Sequence, residues 1–527
     1  MNISTTDLAV LLGYLVAMLL FGLWMGRRQK DAADFMVGSR SVPWWLVLAS
    51  IVATETSTVT FLSIPGFAWK NDLTWVQLPI GFAIGRLAVL GLFLPRYFRG
   101  ELFTAYQVLQ ERFGGRTKVV ASLLFVVTRT LADGLRLFLS AIVLREVAGI
   151  DMELAIVVLG AVTIVYTFLG GMRAVLWTDL VQFIVYISGA ALAFSVLLDQ
   201  IDGGLSGFLA AADEAGKLRM FDFGFDVASP YQFWAGLIGG AVLSVASHGV
   251  DQLMVQRYLC AKSQRQAATA LGLSGVVVIL QFAFFLLIGA ALFVHYGDRA
   301  FAKADRVFAT FIVEELPTPA LGIVLGAVFS AAMSTLSSSL NSSATALTND
   351  VWFPLFRPQA SDREKLRTVR AWTIAFGVLQ VAVGIGGQSM SQTVVDSVLA
   401  ISGFVTGIVL GVFLLGVLTR RVGENAALCG MIVGMATVSF VAFGTSIAWP
   451  WFALIGSGTT FVTGLLASSA TGNLVNTATV TSPEDTATDT VTDPISRDVD
   501  LTLDKLTTSP VIAGQLVSYQ ITVANLG

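Results

Sequence analysis

The chain has 527 residues, 55% of them hydrophobic and only 13% charged. A soluble globular chain carries about 25% charged residues, so the composition excludes that class and points to a polytopic helical membrane protein. The net charge of −3 adds little, because most charge lies in short loops between apolar runs.

Apolar runs of around 20 residues suffice to cross a bilayer core of ~30 Å. They predict thirteen spans, at 7–26, 43–68, 75–95, 119–146, 152–170, 175–198, 232–256, 272–296, 318–348, 369–387, 393–418, 425–445 and 449–467. The first, from Leu8 to Trp24, has no basic region before it and no small-residue cleavage site, and reads as a retained helix rather than a signal peptide. Loops after spans 1, 3, 5, 7, 9 and 11 carry 20 Lys and Arg residues, with Arg257 counted among them, and the opposite loops carry 7. The positive-inside rule then predicts an outside N-terminus and a cytoplasmic end to span 13. Spans 2–6 and 7–11 have the odd count per unit that an inverted repeat needs.

Span 2 contains VATETSTVTFLSIPG (52–66), rich in hydroxyls, with Glu55 at membrane depth and Pro65 and Gly66 near its end. An ionisable residue there is costly and faces a cavity or a partner. Glu55 can attract a cation, shape a solute site or carry a proton; it can also be a structural carboxyl bonded to Thr54, Ser57 or Thr58. Arg86, near the end of span 3, reads as a snorkelling or pairing residue.

Span 4 holds TRTLADGLRLFL, in which Arg129, Asp133 and Arg136 share one helix face. One Arg–Asp pair leaves the second Arg for an anionic group such as a carboxylate. A buried structural ion network is the alternative. Cys260 and Cys429 lie far apart and read as packing residues, and His248 and His295 make no metal cluster.

Span 9 ends in SAAMSTLSSSLNSSATALTND (330–350), where Ala331, Ser334, Thr335, Ser338 and Ser342 form one polar stripe. A broken helix leaves free carbonyls at its C-terminal half-end, and these attract cations. Small hard cations take oxygen ligands. The carbonyl of Ala331 and the hydroxyls of Ser334 and Thr335 are neutral, which suits a weakly held monovalent ion. The bland alternative is helix–helix glue, with hydroxyls bonded back to their own helix.

Four motifs resemble the sodium:solute symporter family, of the LeuT-type inverted-repeat fold and near its proline- and sialic-acid-transporter branch. They are TAYQVLQERFG (104–114), YTFLGGMRAVLWTDLVQ (166–182), GVDQLMVQRYL (249–259) and the span 9 stripe. The second, a Gly–Gly loop followed by Trp–Thr–Asp and Gln, is the most diagnostic. The resemblance covers about 7–467, a transmembrane domain of residues 1–467 with core repeats at about 43–198 and 232–418.

It implies a sodium site from the carbonyls of Ala53, Thr56 and Ala331 and the hydroxyls of Ser334 and Thr335, with Asp179 on the inner ion path. It implies a solute site mid-membrane with Glu55, Ser57, Thr60, Gln77 and Arg129 or Arg136 as ligands, the choice of Arg left open. The implied function is sodium-coupled import of a small polar solute by alternating access, a carboxylate-bearing amino acid, organic acid or sialic acid being favoured. Na+ is then the coupling ion, with no organic cofactor and no nucleic-acid or obligate protein partner, in the inner (plasma) membrane. The sequence shows no catalytic triad, P-loop or metal cluster, so no enzyme is expected. A transporter-like solute sensor, or proton coupling through Glu55, are the competing readings.

After Ala467 the composition turns to Thr, Ser, Val and Asp without a long apolar run. LVNTATVTSPEDTATDTVTDP alternates like strand and turn. DVDLTLDKLTTSPVIAGQLVSYQITVANLG (498–527) reads as alternating strands around a Pro/Gly turn and resembles part of a bacterial immunoglobulin-like surface repeat. The expectation is a fused or misjoined reading frame, or a truncated accessory domain, with poor order and no role in transport.

Overall fold

The computed structural model describes residues 3–27, 31–100, 102–148, 150–297, 299–389, 394–469, 474–481 and 486–493. Up to Ser469 the described residues are overwhelmingly helical. The long helices, with the half-helices of the two broken spans, are α1 (Thr5–Gly26), α2 (Trp44–Glu55), α3 (Thr58–Lys70), α4 (Gln77–Leu92), α5 (Gly115–Ala148), α6 (Met152–Asp199) and α7 (Gly240–Gly249). They continue with α8 (Gln252–Leu259), α9 (Gln264–Tyr296), α10 (Ala320–Ala346), α11 (Asp362–Gly386), α12 (Val394–Leu418), α13 (Glu424–Gly444) and α14 (Phe452–Ser469). Among the described residues, eight helices are long and apolar enough to cross a membrane, or up to nine with the bent pair α2–α3.

The breaks follow from local chemistry. Between α2 and α3 the chain bends by 56°. Thr56 and Ser57 there take extended conformations. Thr and Ser hydroxyls bond readily to nearby backbone groups, and at the end of α2 the Val52 carbonyl accepts from both Thr56 N at 3.0 Å and Thr56 Oγ1 at 2.8 Å. The second break, at Val250 and Asp251, separates α7 from α8, and Asp251 caps α8 by accepting from Leu253 N at 2.8 Å. In α6 the break is Gly171, at φ 55° and ψ −171°, a conformation that a side chain disfavours. An unbroken helix of 48 residues would run about 72 Å, over twice the bilayer core.

α10 lies at the centre, packed against α6, α5, α1 and α11 and touching α2. Its Ala, Ser and Gly side chains allow this close approach. α9 meets α3 equally closely: a Cβ on Gly289 would come within 2.1 Å of the Pro65 carbonyl oxygen.

Beyond α14, β1 (Leu474–Thr481) and β2 (Thr486–Asp493) pair antiparallel, with Leu474 opposite Asp493. The predicted alternation thus gives two paired strands, and the predicted turn between them, 482–485, lies outside the described residues. The stretch read as part of an immunoglobulin-like repeat, 498–527, lies outside the described residues.

Candidate solute and cation site

The α2 break faces α10. Ser334 Oγ donates to the Ala53 carbonyl at 2.7 Å, and Thr335 Oγ1 donates to the Thr54 carbonyl at 3.1 Å, with the Ala331 carbonyl 3.4 Å away. All of these groups are buried. The hydroxyls of α10 divide into two groups. Ser334, Thr335 and Ser338 reach across to α2, whereas Ser330, Ser337 and Ser342 donate back to their own helix.

Thr56 belongs to a second cluster. Its Oγ1 meets Tyr186 Oη at 3.0 Å and accepts from the Gln281 carboxamide, whose oxygen accepts from the same Tyr186 hydroxyl at 3.0 Å. Tyr186 on α6 and Gln281 on α9 therefore clamp the break from behind.

In front of the break lies a cavity of about 180 Å³. That volume holds on the order of ten water molecules. Thr54, Ser57, Thr60, Thr128, Ser247 and Thr406 give it hydroxyls, and Glu55, Arg129, Arg136, His248 and Asp251 give it ionisable groups. Trp75 and Phe282, stacked 4.6 Å apart, line one end, beyond the start of α4. Tyr106, Phe125, Leu253 and Met254 line the other, beyond the end of α4.

Every charge on the cavity wall has a partner. Glu55 accepts from Arg86, and His248 Nε2 lies 3.6 Å from the same carboxylate oxygen. The Glu55 carboxylate is thus held by Arg86 and His248 rather than by its Thr and Ser neighbours. Arg86 is fully buried, a pairing residue and not a snorkelling one. Arg129 pairs with Asp251 at 2.5 Å, and Arg136 with Asp133 at 2.5 Å.

Of the sequence candidates, Glu55, Ser57, Thr60, Arg129 and Arg136 line the cavity. Gln77 does not. Its carboxamide donates to the carbonyls of Thr74 at 2.8 Å and Tyr231 at 2.9 Å, and accepts from Asp222 N at 3.1 Å, so it pins a connecting loop. Asp179 sits behind the Ala53–Ser334 contact, accepting from Ser50 Oγ at 2.5 Å and facing Arg257 at 3.3 Å. Arg257, counted above as a loop charge, is instead buried on α8 and also donates to Thr54 and Ser338. Its hydrophilic side chain hid the fact that it belongs to a helix-end network.

Asp251, His248, Tyr186 and Gln281 escaped the sequence reading as site residues. For Asp251 a signal existed: an acidic residue within a predicted span, two residues after Gly249.

The family model that matches residues 35–434 is the sodium:solute symporter family. The chain belongs to that family. Among curated relatives, the sodium/sialic acid symporter SiaT of Proteus mirabilis is 30% identical over 475 residues, covering 87% of this chain and 94% of that protein. The human sodium/iodide cotransporter is 28% identical over 443 residues, covering 81% of this chain and 68% of that protein. Among solved structures, a substrate-bound, outward-open Na+-coupled sialic acid symporter superposes with a TM-score of 0.82 at 29% identity, covering 89% of this chain and 98% of that one. Mhp1, a nucleobase–cation symporter, superposes at a TM-score of 0.57 and 17% identity, covering 84% of this chain and 95% of that one, which is a likeness of fold. This member of the sodium:solute symporter family keeps its ionisable cavity residues on the two broken spans and on α5.

Proposed function

We propose that this chain is a sodium-coupled symporter that imports a small, hydroxylated, carboxylate-bearing solute, with a sialic acid as the leading candidate. Family membership and the Na+-coupled relatives support sodium-coupled solute transport. The carboxylate preference rests on Arg129 and Arg136 in the cavity wall, and the hydroxyl preference on the Ser and Thr side chains that line it.

One observation carries the coupling. The hydroxyls of Ser334 and Thr335 meet the carbonyls of Ala53 and Thr54 at the α2 break, one layer behind the solute cavity. We read Ala53, Thr56, Ala331, Ser334 and Thr335 as the sodium ligands. Turning each hydroxyl hydrogen away would offer its oxygen to the ion, joining α2 to α10 by oxygens of both. Sodium bound there favours one arrangement of the two helices, and solute that prefers the same arrangement binds better. Each charge moved inward gains ~2.3 kcal/mol per 100 mV of membrane potential. Asp179, hydrogen-bonded to Ser50 on α2, is read as a station on the ion path.

The wider architecture is part of the same proposal. The broken α2–α3, charged α5, kinked α6, broken α7–α8 and α12 together with the remaining long helices support thirteen spans. The two breaks are read as falling on the first helices of two five-helix units, corresponding positions of an inverted repeat. The basic loops favour an outside N-terminus. The tail after α14 is assigned no part in transport.

Uptake of sialic acid into proteoliposomes under an inward sodium gradient, against potassium, tests the function. Sodium-dependent accumulation supports it; equal uptake in potassium rejects the coupling.

A further inference from the structure

The Arg129 guanidinium already holds an anion. Its Nη2 lies 2.5 Å from Asp251 Oδ2, while its Nη1 lies 3.8 Å from Asp133, whose nearer partner is Arg136 at 2.5 Å. These two guanidiniums and two carboxylates sum to no net charge. At membrane depth, a further carboxylate binds well only by taking a cation from its present partner.

Asp251 is the partner placed to yield. It stands at the break between α7 and α8, and its other oxygen, Oδ1, accepts from Leu253 N at 2.8 Å. Asp133, by contrast, lies fully buried within α5, one turn from each Arg. The residue after Asp251 also reaches a second element. Gln252 accepts from Ala105 N at 2.7 Å and donates to the Phe103 carbonyl at 3.1 Å, and the adjoining Tyr106 lines the cavity.

We propose that Asp251 is an internal stand-in for the solute's carboxylate. The arriving carboxylate takes Arg129 from Asp251 Oδ2. Asp251 is left with its cap on α8, and the α5–α8 tie across the cavity is released. Solute binding is then an exchange of one carboxylate for another. Affinity stays below what a free Arg129 would give, and occupancy is transmitted to α8 and to the Phe103–Tyr106 segment. Asp251 is thus a positioning residue that sets solute affinity and links it to the cavity end beneath Tyr106. This rests on the reading of Arg129 as a carboxylate ligand.

The test compares sialic acid with its uncharged methyl ester, in sodium, by calorimetry and by uptake. Asp251→Asn removes the charge and keeps the helix cap, since Asn caps as well as Asp. Sialic acid should bind Asp251→Asn about tenfold more tightly than wild type. Ester binding should be unchanged, and both KM and kcat for uptake of the acid should fall. The double variant Arg129→Gln/Asp251→Asn removes both charges and should bind acid and ester equally weakly, and Asp251→Ser, which also caps a helix without a charge, repeats the test if Asp251→Asn does not fold. Wild-type binding of the acid with no gain in Asp251→Asn, or a retained acid preference in the double variant, overturns the inference. A wild type that binds neither sialic acid nor lactate in sodium overturns the carboxylate reading itself, and the inference with it.

Discussion

Ser334 Oγ and the Ala53 carbonyl oxygen, 281 positions apart in the chain, lie 2.7 Å from each other in the buried seam between α10 and α2. The carbonyl is available because α2 stops two residues later. The hydroxyl is available because it reaches across the seam rather than back along its own helix. This pairing is where a cation would join the two helices.

Replacing both Ser334 and Thr335 with Ala should remove the sodium-specific rise in melting temperature, measured against potassium at equal ionic strength. Ligand that binds the folded state raises its stability, so a wild-type rise that persists in the double variant would place the ion elsewhere. Sodium affinity should fall about tenfold or more, on the basis of roughly 0.5–1.5 kcal/mol for each hydroxyl lost.

The clamp behind the break makes a separate prediction. Tyr186→Phe and Gln281→Leu each remove a group that holds Thr56 Oγ1. Each should weaken sodium activation of uptake about fivefold, the worth of a hydrogen bond of ~1 kcal/mol. The solute KM at saturating sodium should stay near wild type. A change in solute KM with sodium activation intact would assign the clamp to the solute site instead.

Glu55→Gln leaves the buried Arg86 guanidinium without its anion. Breaking one side of a buried pair costs about 3–5 kcal/mol, whereas removing both sides costs far less. Glu55→Gln should therefore unfold well below wild type in detergent, and Glu55→Gln/Arg86→Met should recover much of the difference. If Glu55 instead carried the driving proton, a pH gradient alone would drive uptake by wild type; the expected result is that only a sodium gradient does.

Orientation is open to labelling. With the exposed Cys429 replaced by Ser and Cys260 buried, a cysteine at Lys70 should react with an impermeant maleimide on intact cells. A cysteine at Arg116 should react only after permeabilisation. The reverse pattern would invert the topology drawn from the basic loops.

The sequence by itself determined the class, the apolar helices, the hydroxyl-rich character of span 2 and the face of α10 that carries Ala331, Ser334 and Thr335. These are local properties: hydropathy over a window, the density of hydroxyls in 52–66, and a period of 3.6. It also placed Arg129, Asp133 and Arg136 on one face, because they lie within two turns. Partners were the part it withheld. Arg86 to Glu55, Asp251 to Arg129, Tyr186 and Gln281 to Thr56, and Arg257 to Asp179 each join different helices. The family resemblance alone put Gln77 among the solute ligands, and in the fold its carboxamide is bonded to the Tyr231 carbonyl and the Asp222 N–H. Charge pairing at membrane depth is decided by which helices stand side by side, and a buried ion takes whichever counter-ion that packing brings within reach.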